Sequence, residues 1–387
     1  MKYKPLIGLF LFTVGGDKNN IYRSGLREEE MMLINKIKDH PMILPLEDTG
    51  DTMTIGNPKR IDCPVYKIPR LPYEVRIQDL TKKQVKKMLV DLVDFCIYCL
   101  EKEVCVWDIS ESNILYWNGK TYFVDFDAFS TLDDKHRSAY YGFVKFSYLF
   151  NRYLKGNNRL TSAEQADHIT IRGYKDWTSD QVGKNFNDIS LWKEFKKVIE
   201  NTNDKAINSH WADEYATDEE KVKENQKVKI TEDLLKPTHG GSVLDIGTNK
   251  GYYLNIIKEN YDYLMGFDVD DKCIDMAEEK YGCDKIGFTK LAMNDFFFGS
   301  RVTNSRIKRF KSDLVIALAV THHFKNSGVD TEKAAQAIAD LSNKWILIED
   351  IENQFVYKTN FENNGFELFK RVDSYPSSRK LSLWVRS

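Results

Sequence analysis

Cysteine is scarce in this chain and irregularly placed. Six cysteines among 387 residues are too few for a disulfide framework in a chain of this length, and they favour a reducing, cytoplasmic compartment. Cys96 and Cys99 lie in an apolar run with helical spacing, and no second pair with metal-ligand spacing follows them. Because free cysteines are among the most frequently buried residues, we predict buried thiols at both positions.

Long hydrophobic runs are also missing. The apolar run at 6–12 is much shorter than the roughly 20 residues that span a bilayer. It also lacks the small-residue cleavage site of a secretory signal. We therefore expect no membrane span, and we predict that 6–14 pairs with 21–23 in a β-hairpin whose turn contains Gly15 and Gly16.

Neither sign of charge dominates the sequence. The 56 Lys and Arg residues are balanced by 58 Asp and Glu residues, which gives a net charge of −2. Nucleic acid is therefore disfavoured as a partner, although a local basic patch would escape a whole-chain count. Apolar residues make up 42% and aromatic residues 13% of the chain, as in folded proteins, and the length suggests two or three domains.

One stretch, 243–251, has the pattern of a strand, a glycine turn and a helix. Apolar residues around Asp245 predict a buried strand, and Gly247 and Gly251 predict a tight turn before further apolar residues with helical spacing. Glycines let the backbone approach a ligand, and a helix N-terminus offers N–H groups to an anionic or polar group. Asp245, at the end of the strand, can hold a cation or orient the loop.

The next predicted strand, 263–268, ends on Asp268. In nucleotide-binding α/β units an acid at this position accepts hydrogen bonds from ribose hydroxyls. The glycine spacing is G-x-x-x-G, which differs from the G-x-G-x-x-G of dinucleotide-binding sites. An ordinary βαβ turn followed by a chance acid is the alternative interpretation of these two segments.

Two later segments extend this series: the pair Asn294-Asp295, and the strand-like run 312–324 that ends near His322-His323. With the glycine loop and Asp268 they make 222–387 resemble the class I S-adenosylmethionine methyltransferases. The resemblance implies an α/β Rossmann-like fold and S-adenosylmethionine as cofactor. The residues that it assigns to cofactor binding are Gly247 and Gly251 at the methionine part with Asp245 beside them, Asp268 at the ribose, and Asn294 and Asp295 at the adenine.

His322 and His323 are candidates for a catalytic base. Histidine titrates near neutral pH, so either residue could accept a proton from the methyl acceptor. The alternative is that at least one of them is packed and hydrogen-bonded in the core. A metal site is not expected, because adjacent residues of a strand point to opposite faces. The next predicted strand ends in Glu349 and Asp350, which either bind acceptor hydroxyls or form a solvated strand end.

The first half of the chain predicts a different mixture of elements. Apolar residues recur with helical spacing at 26–37 and 82–100, which predicts two amphipathic helices. Short strands are expected at 42–46, 52–55 and 64–68. This mixture is typical of an α+β fold.

The stretch 104–127 contains Asp108, Asn113 and Asp125 around a hairpin turned at Asn118-Gly119. Phosphoryl transfer needs a carboxylate to orient the attacking hydroxyl, and an amide and a carboxylate to hold Mg²⁺. Capping or turn roles are the alternative for the aspartate and the asparagine.

The order D-x-x-x-x-N, then a strand pair ending in Asp-Phe, resembles the protein-kinase-like phosphotransferases, and the similarity covers 1–200. It implies an N-terminal α+β kinase-like fold that binds ATP and Mg²⁺. Asp108 would then be the catalytic base, and Asn113 and Asp125 the metal ligands. Arg23 takes the position of the family's phosphate-binding lysine, and one of Glu28–Glu30 takes that of the acid that pairs with it.

The departures from that family are specific. Val106-Trp107 replaces the usual His-Arg before the base, and Asp127 replaces the glycine after Asp-Phe. The glycine-rich loop is reduced to Gly15-Gly16. Arginine can bind phosphate as a fork of donors, which differs from the point charge of lysine. Both an active atypical kinase and a degenerate binding scaffold are consistent with this pattern.

Charged, polar sequence around 201–221 predicts a linker between a first domain at 1–200 and a second at 222–387. The pair resembles bifunctional kinase–methyltransferases of bacterial polysaccharide modification, in which the domain order is reversed. The sequence thus predicts an O-methyltransferase with a kinase-like phosphotransferase domain, acting on a small-molecule or glycan acceptor. One alternative is a methyltransferase whose kinase-like half only binds or regulates, and another is a scaffold that binds nucleotides without turnover.

Overall fold

The computed structural model describes residues 12–16, 19–55, 61–132, 137–156, 187–204, 209, 211–214, 225–291, 309–326, 328–350, 357–375 and 378–387. The chain divides into two compact units, each with its own β-sheet. The first unit comprises Met1–Pro72, Arg76–Gln78 and Val85–Asp204. The second comprises Tyr73–Val75, Asp79–Gln84 and Lys205–Ser387.

The first unit contains a four-stranded antiparallel sheet in the order β1-β2-β4-β3. Its strands are β1 (Phe12–Gly16), β2 (Asn20–Ser24), β3 (Glu47–Ile55) and β4 (Ile61–Pro69). The pairing of β1 with β2 confirms the predicted hairpin, although residues 6–11 lie outside the described part of the chain. The predicted turn position is wrong, because Gly15 and Gly16 pair with Tyr22 and Ile21 within the strands. The strands predicted at 52–55 and 64–68 are confirmed within β3 and β4. The strand predicted at 42–46 is wrong, because Ile43 there forms an isolated bridge with Phe123.

Helices of the first unit follow the predicted periodicity. They are α1 (Glu28–Ile37), α2 (Lys82–Glu101), α3 (Arg137–Leu149) and α4 (Ile189–Glu200). A π-helical turn, Phe150–Leu154, follows α3, and short 3-10 turns occur at Ile77–Asp79 and Glu111–Asn113. The apolar positions of α2 are fully buried, for example Met88, Leu92 and Phe95, so the predicted helices at 26–37 and 82–100 are confirmed.

Two small antiparallel pairs complete the first unit. Strand β5 (Val104–Val106) pairs with β8 (Phe129–Thr131), and β6 (Ile114–Trp117) pairs with β7 (Lys120–Phe123). Asn118 and Gly119 connect β6 to β7 with φ values of 48° and 68°. Positive φ at both central residues is the geometry that Asn-Gly favours in two-residue hairpin turns, so the predicted turn is confirmed.

The second unit is built on a seven-stranded mixed sheet in the order β11-β10-β9-β12-β13-β15-β14. The strands are β9 (Gly240–Ile246), β10 (Tyr261–Asp268), β11 (Ile286–Lys290), β12 (Ser312–Ala317), β13 (Ser342–Asp350), β14 (Phe366–Asp373) and β15 (Lys380–Arg386). Strands β9 to β13 are parallel, and the last two are antiparallel to their neighbours. The first strand, β9, lies between β10 and β12. In such sheets the carboxyl ends at this switch point form the ligand-binding crevice.

The helices of the second unit are α5 (Trp211–Glu214), α6 (Gln226–Leu235), α7 (Tyr252–Ile257), α8 (Asp271–Tyr281), α9 (Thr321–Asn326), α10 (Thr331–Leu341) and α11 (Lys358–Asn363). A 3-10 turn, Lys258–Asn260, follows α7. Val243, Leu264, Leu314 and Leu347 of neighbouring strands pack in one buried apolar cluster. No helix within the described ranges is long and apolar enough to cross a membrane.

The second unit also includes a segment from the first half of the chain, which sequence patterns did not predict. The Tyr73 hydroxyl donates to the carbonyl of Val243 at 2.9 Å, and it lies 2.8 Å from Ser312 Oγ. Near the edge strand β11, the side-chain amide of Gln84 donates to the carbonyl of Phe288 at 2.9 Å. Tyr73 thus contacts the central strand β9, and Gln84 contacts the edge strand β11.

Candidate active site

A cavity of about 460 Å³ opens at the carboxyl ends of β9, β10 and β12. Among its lining residues are Asp245, Gly247, Asp268 and His323, four of the residues singled out from the sequence. The fold brings them together because each follows or ends a strand at the same edge of the sheet. The cavity is therefore the candidate active site of the second unit.

Gly247 and Gly251 have different structural roles. Gly247 lines the cavity with φ +73°, and a Cβ at this position would overlap Val320 Cγ1. Its N–H donates to the carbonyl of Phe267 at 2.9 Å, which fixes the turn. Gly251 has φ +77°, but a Cβ there would meet the ring of Phe288 at 2.5 Å, and the residue does not line the cavity. Gly247 thus allows close approach of a ligand, and Gly251 allows α7 to pack on the sheet.

Asp245 is buried beneath the glycine turn. Thr248 Oγ1 donates to Asp245 Oδ2 at 2.8 Å, so this carboxylate orients the loop. The pKa of Asp245 is raised to about 7, chiefly by burial and also by the charge of Asp268, whereas the Thr248 hydrogen bond and the charge of Lys227 oppose the rise. The side chain is thus close to its titration point at neutral pH.

Asp268 ends β10 and has both oxygens engaged by backbone donors. The N–H of Asn249 donates to Oδ2 at 2.9 Å, and the N–H of Asp270 donates to Oδ1 at 3.1 Å. Burial raises the pKa of this carboxyl, and these N–H groups act in the opposite direction. A carboxylate offers about four lone-pair sites, so each oxygen can still accept a hydrogen bond from one of two adjacent hydroxyls.

The two histidines lie in a helix, which corrects the prediction that they end a strand. Strand β12 ends at Ala317, and α9 begins at Thr321. The expectation that their side chains point to opposite faces is therefore wrong, because helical neighbours are about 100° apart. The ring centroids of His322 and His323 are 3.8 Å apart.

Of the two, His323 lines the cavity and His322 does not. The ring of His323 meets Trp211 edge to face, with centroids 5.3 Å apart. Burial lowers the pKa of His323, although the charge of Asp268 opposes this. Burial and the positive charges of His323 and Arg379 lower the pKa of His322. Both imidazoles are therefore neutral near pH 7, which is the state of a proton acceptor.

Glu349 and Asp350 are buried at the end of β13, so the solvated strand end is wrong. Glu349 forms ion pairs with Lys227 at 2.6 Å and Arg379 at 3.8 Å. Asp350 pairs with Arg371 at 3.4 Å, and burial raises its pKa to about 6. Lys227 and Arg379 line the cavity, so Glu349 acts on the site through its cationic partners.

Two predicted site residues, Asn294 and Asp295, lie outside the described residues. Other residues line the cavity that were not predicted from the sequence. Cavity-lining residues that had no motif signal are Trp211, Lys227, Val269, Leu291, Tyr375 and Arg379. They come from segments far apart in the chain, and only the position after a predicted strand end could have indicated Val269.

In the first unit, the fold brings Asp108, Asn113 and Asp125 into one region. The side-chain amide of Asn113 donates to the Asp108 carbonyl at 3.0 Å, and Lys145 Nζ lies 2.6 Å from Asp108 Oδ1. Burial, Asp127 and Asp108 together raise the pKa of Asp125 to about 8, while the charge of Arg23 opposes the rise. Negative charge is therefore concentrated around Asp125.

The predicted pair between Arg23 and an acid of α1 does not form with the buried Glu30. Arg23 donates to the Val124 carbonyl at 2.8 Å. Glu30 binds Arg27 instead, through the backbone N–H at 2.8 Å and the side-chain Nε at 2.7 Å. An acid three residues into a helix satisfies the free N–H groups there, so Glu30 is a capping residue. Arg23 remains next to the acidic region through its effect on Asp125.

Among the described residues, the usual kind of metal site, a cluster of His, Cys, Asp and Glu side chains, is not found. No three His, Cys, Asp or Glu side chains among those residues are arranged to hold a metal ion. Cys96 and Cys99 are buried, and burial raises the pKa of both thiols. The predicted buried thiols are thus confirmed.

Comparison with known proteins identifies the second unit. Residues 219–387 match the methyltransferase-domain family, and this match does not extend to the first unit. Together with the Rossmann-like mixed sheet, this match shows that the C-terminal region is a methyltransferase domain. No curated protein matches the chain.

Several solved structures are similar to this chain. Magnesium protoporphyrin IX methyltransferase from Synechocystis PCC 6803 with bound S-adenosylmethionine is 16% identical, with 47% of this chain and 87% of that chain covered and a TM-score of 0.34. The N-methyltransferase NodS from Bradyrhizobium japonicum is 12% identical, with 44% and 93% covered and a TM-score of 0.35. A TehB-like methyltransferase from Corynebacterium glutamicum is 16% identical, with 46% and 98% covered and a TM-score of 0.33.

Proposed function

We propose that the methyltransferase domain transfers a methyl group from S-adenosylmethionine to a hydroxyl oxygen of a small or glycan-type acceptor. The observation that carries this proposal is the single cavity that joins Gly247, Asp245 and Asp268 to His323. The first three suit the cofactor, and the fourth is a neutral base. Sugar-type acceptors are consistent with a cavity that combines aromatic and charged side chains.

The residues present fit S-adenosylmethionine. The two oxygens of Asp268 are spaced and oriented by backbone donors, so they can accept hydrogen bonds from the two ribose hydroxyls. Gly247 lines the cavity at a positive φ, and its missing Cβ lets Val320 pack on the turn that would face the methionine part. Asp245, below this turn, can bind the amino group of the cofactor. Val269 and Leu291 provide apolar surface for the adenine.

The proposed mechanism depends on position and on one proton acceptor. S-adenosylmethionine, when bound, supplies a methyl group whose S–C bond breaks as the O–C bond to the acceptor forms, leaving S-adenosylhomocysteine. His323 accepts the hydroxyl proton at its unprotonated ring nitrogen. Trp211 packs edge to face on this ring and helps to fix its orientation. Holding acceptor and methyl donor in line supplies much of the acceleration in such reactions.

The proposal is tested by titrating S-adenosylmethionine into the full chain by calorimetry. We expect Asp268→Ala to weaken binding by about 100-fold, because a buried hydrogen-bonded partner of two hydroxyls is lost. Asp262→Ala is the matched control, because Asp262 is exposed on the same strand. Equal binding by wild type and Asp268→Ala, or no binding by wild type, would overturn the proposal.

A second candidate function is phosphoryl transfer in the first unit. One observation favours it: the Asn113 amide holds the Asp108 backbone while Asp125 lies among other carboxylates. In this proposal Asp108 orients the attacking hydroxyl, Asn113 and Asp125 hold Mg²⁺, and Arg23 contacts the phosphates of ATP. Lys145 lies against Asp108 and would have to share that carboxylate with the hydroxyl. A kinase-like unit that only binds its ligand is the alternative.

Calorimetry with ATP and Mg²⁺ separates these two possibilities. A working site predicts Mg²⁺-dependent ATP binding that is lost in Asp125→Ala and retained in Asp39→Ala, an exposed aspartate of the same unit. A phosphotransferase would also lose ATP turnover in Asp108→Asn without losing ATP binding. If no ATP binds while S-adenosylmethionine does, the phosphotransferase proposal fails and the methyltransferase proposal stands.

A further inference from the structure

Three charged side chains meet at one end of the methyltransferase cavity. Glu349 is fully buried there, with Lys227 Nζ 2.6 Å from Oε2 and an Arg379 guanidinium nitrogen 3.8 Å from Oε1. Ser374 donates to Oε1 at 3.1 Å. Lys227 and Arg379 both line the cavity, so the buried carboxylate positions two cations at its wall.

Among the described residues, Glu349 faces two cations. Lys227 makes the shorter contact with Glu349, and its charge also acts on Asp245. Arg379 makes the longer contact with Glu349, and its side chain is 31% exposed at the cavity wall. An anion that enters the cavity can therefore bind the exposed part of the Arg379 guanidinium.

Arg379 is also close to the proposed reaction centre. Its charge lowers the pKa of His322, whose ring is 3.8 Å from that of His323. The Thr321 hydroxyl donates to the Glu349 carbonyl at 3.3 Å, which ties the start of α9 to the charged group. An anion at Arg379 and a hydroxyl at His323 would thus occupy the same cavity.

We propose that the methyl acceptor carries an anionic group, a carboxylate or a phosphate monoester, that binds Arg379. Tyr375 lies on the same connection between β14 and β15 and lines the same cavity, so its ring can cover a ring-shaped acceptor. Arg379 is then a specificity-determining residue, and Glu349 is a positioning residue that acts through it. This inference depends on the proposed function, because it assigns the rest of the cavity to S-adenosylmethionine.

The test uses the full chain saturated with S-adenosylhomocysteine and three sugar probes: glucose, glucuronate and glucose 6-phosphate. Calorimetry should show at least one charged probe binding about tenfold or more tightly than glucose. The preferred charged probe distinguishes a carboxylate from a phosphate acceptor. Arg379→Gln should abolish the preference, Arg379→Lys should keep part of it, and Lys370→Gln, which removes an exposed charge of β14, should leave it unchanged.

A second readout locates the anion. Histidine NMR titrations should show the pKa of His322 rising when the charged probe binds, because a negative charge offsets Arg379. Glucose should leave that pKa unchanged. Equal binding of charged and neutral probes, no binding of the charged probes up to about 10 mM, or a preference that persists in Arg379→Gln would overturn the inference. Because S-adenosylhomocysteine binding is measured first, its failure would mark the proposed function as wrong instead.

Discussion

The two units treat their carboxylates in opposite ways. In the second unit, Asp268 receives two backbone N–H groups and Glu349 receives two cations. In the first, Asp125 lies beside Asp127 and Asp108, which raise its pKa to about 8 together with burial. A carboxylate held by donors is ready to bind hydroxyls, whereas repelling carboxylates gain most from a bound cation.

This difference separates a site that is preorganised from one that depends on its ligand. The methyltransferase cavity has its turn and its acids fixed by hydrogen bonds within the unit, and the ring of His323 packs against Trp211. The acidic region has the motif residues together, but Lys145 already compensates Asp108. Preorganised groups supply most of the electrostatic contribution to catalysis, so we expect activity in the second unit to be the more robust to mutation elsewhere.

The largest effect is expected at the glycine turn. Gly247→Ala adds a Cβ that overlaps Val320 at a positive φ, so the turn and Val320, which both line the cavity, must shift. We expect S-adenosylmethionine affinity to fall by more than about 100-fold. Gly365→Ala is the control, because Gly365 has φ +77° but nothing within 4 Å of the added Cβ. Comparable loss of affinity in both variants would show that backbone strain, not the cavity, is responsible.

The next effect concerns the two histidines. His323→Gln should lower kcat by about 100-fold or more, because a general base usually contributes about 10²- to 10⁴-fold, with S-adenosylmethionine affinity unchanged. His322→Gln should have a smaller effect, since His322 does not line the cavity. Steady-state methyl transfer measures both variants. A larger loss in His322→Gln than in His323→Gln would contradict the assignment.

The pH dependence sharpens this assignment. Because the pKa of His323 is lowered from 6.5, the base is unprotonated at pH 7 and above. Wild-type kcat should be level there and should fall as the pH drops below 6.5. A rise in rate through pH 7 to 8 would instead indicate a base with a raised pKa. The profile of His323→Gln should lose this step.

A moderate effect on stability is expected from substitutions of Tyr73 and Gln84, which contact strands of the second sheet. Tyr73→Phe and Gln84→Ala each remove hydrogen bonds to buried groups, at a cost of about 1–3 kcal/mol. The midpoint of thermal unfolding, measured with S-adenosylhomocysteine bound to the second unit, reports this change. Lys83→Ala removes an exposed ion pair from the same segment and should have little effect. Equal midpoints for all three variants would contradict the role of residues 73–84.

The smallest effect is expected in the acidic region. The pKa of Asp125 is raised in the folded state from 3.8 to about 8, so its favourable contribution is complete at low pH and is lost as the pH rises through 8. Asp125→Asn should therefore raise the melting temperature above that of wild type at pH 9 more than it does at pH 6. The expected difference is roughly 2–4 °C for about 1 kcal/mol. Thermal scans at both pH values test this. If Asp125→Asn were less stable than wild type at pH 9, neighbouring groups would have to compensate the negative charge of Asp125, and the prediction would be wrong.

Local patterns predicted the elements around each site well. The strand, turn and acid at Asp245, Gly247 and Asp268 depend on neighbouring residues, and so does the turn at Asn118-Gly119. By contrast, the helix at His322 was read as a strand because apolar residues continue past Ala317, and backbone hydrogen bonding beyond that point is not encoded by hydrophobicity alone. The position of Gly251 against Phe288 depends on long-range packing in the same way.

The contacts that complete the methyltransferase site were beyond sequence patterns. Lys227 and Glu349 are separated by more than a hundred residues, and Tyr73 reaches a strand that begins at Gly240. Pairings of this kind are set by topology, and local patterns in a single sequence carry no signal for them. Lys227 follows the charged stretch at 201–221 and has no motif of its own, whereas the fold places it at the cavity wall.

The most direct test of methyl transfer uses S-adenosylmethionine labelled in its methyl group, incubated with the full chain and a mixture of hydroxylated sugars and sugar acids. Wild type and Asp108→Asn should both transfer label to an acceptor, and His323→Gln should retain cofactor binding but transfer about 100-fold or more slowly. Absence of transfer by wild type despite cofactor binding, or equal transfer by wild type and His323→Gln, would contradict the proposed site.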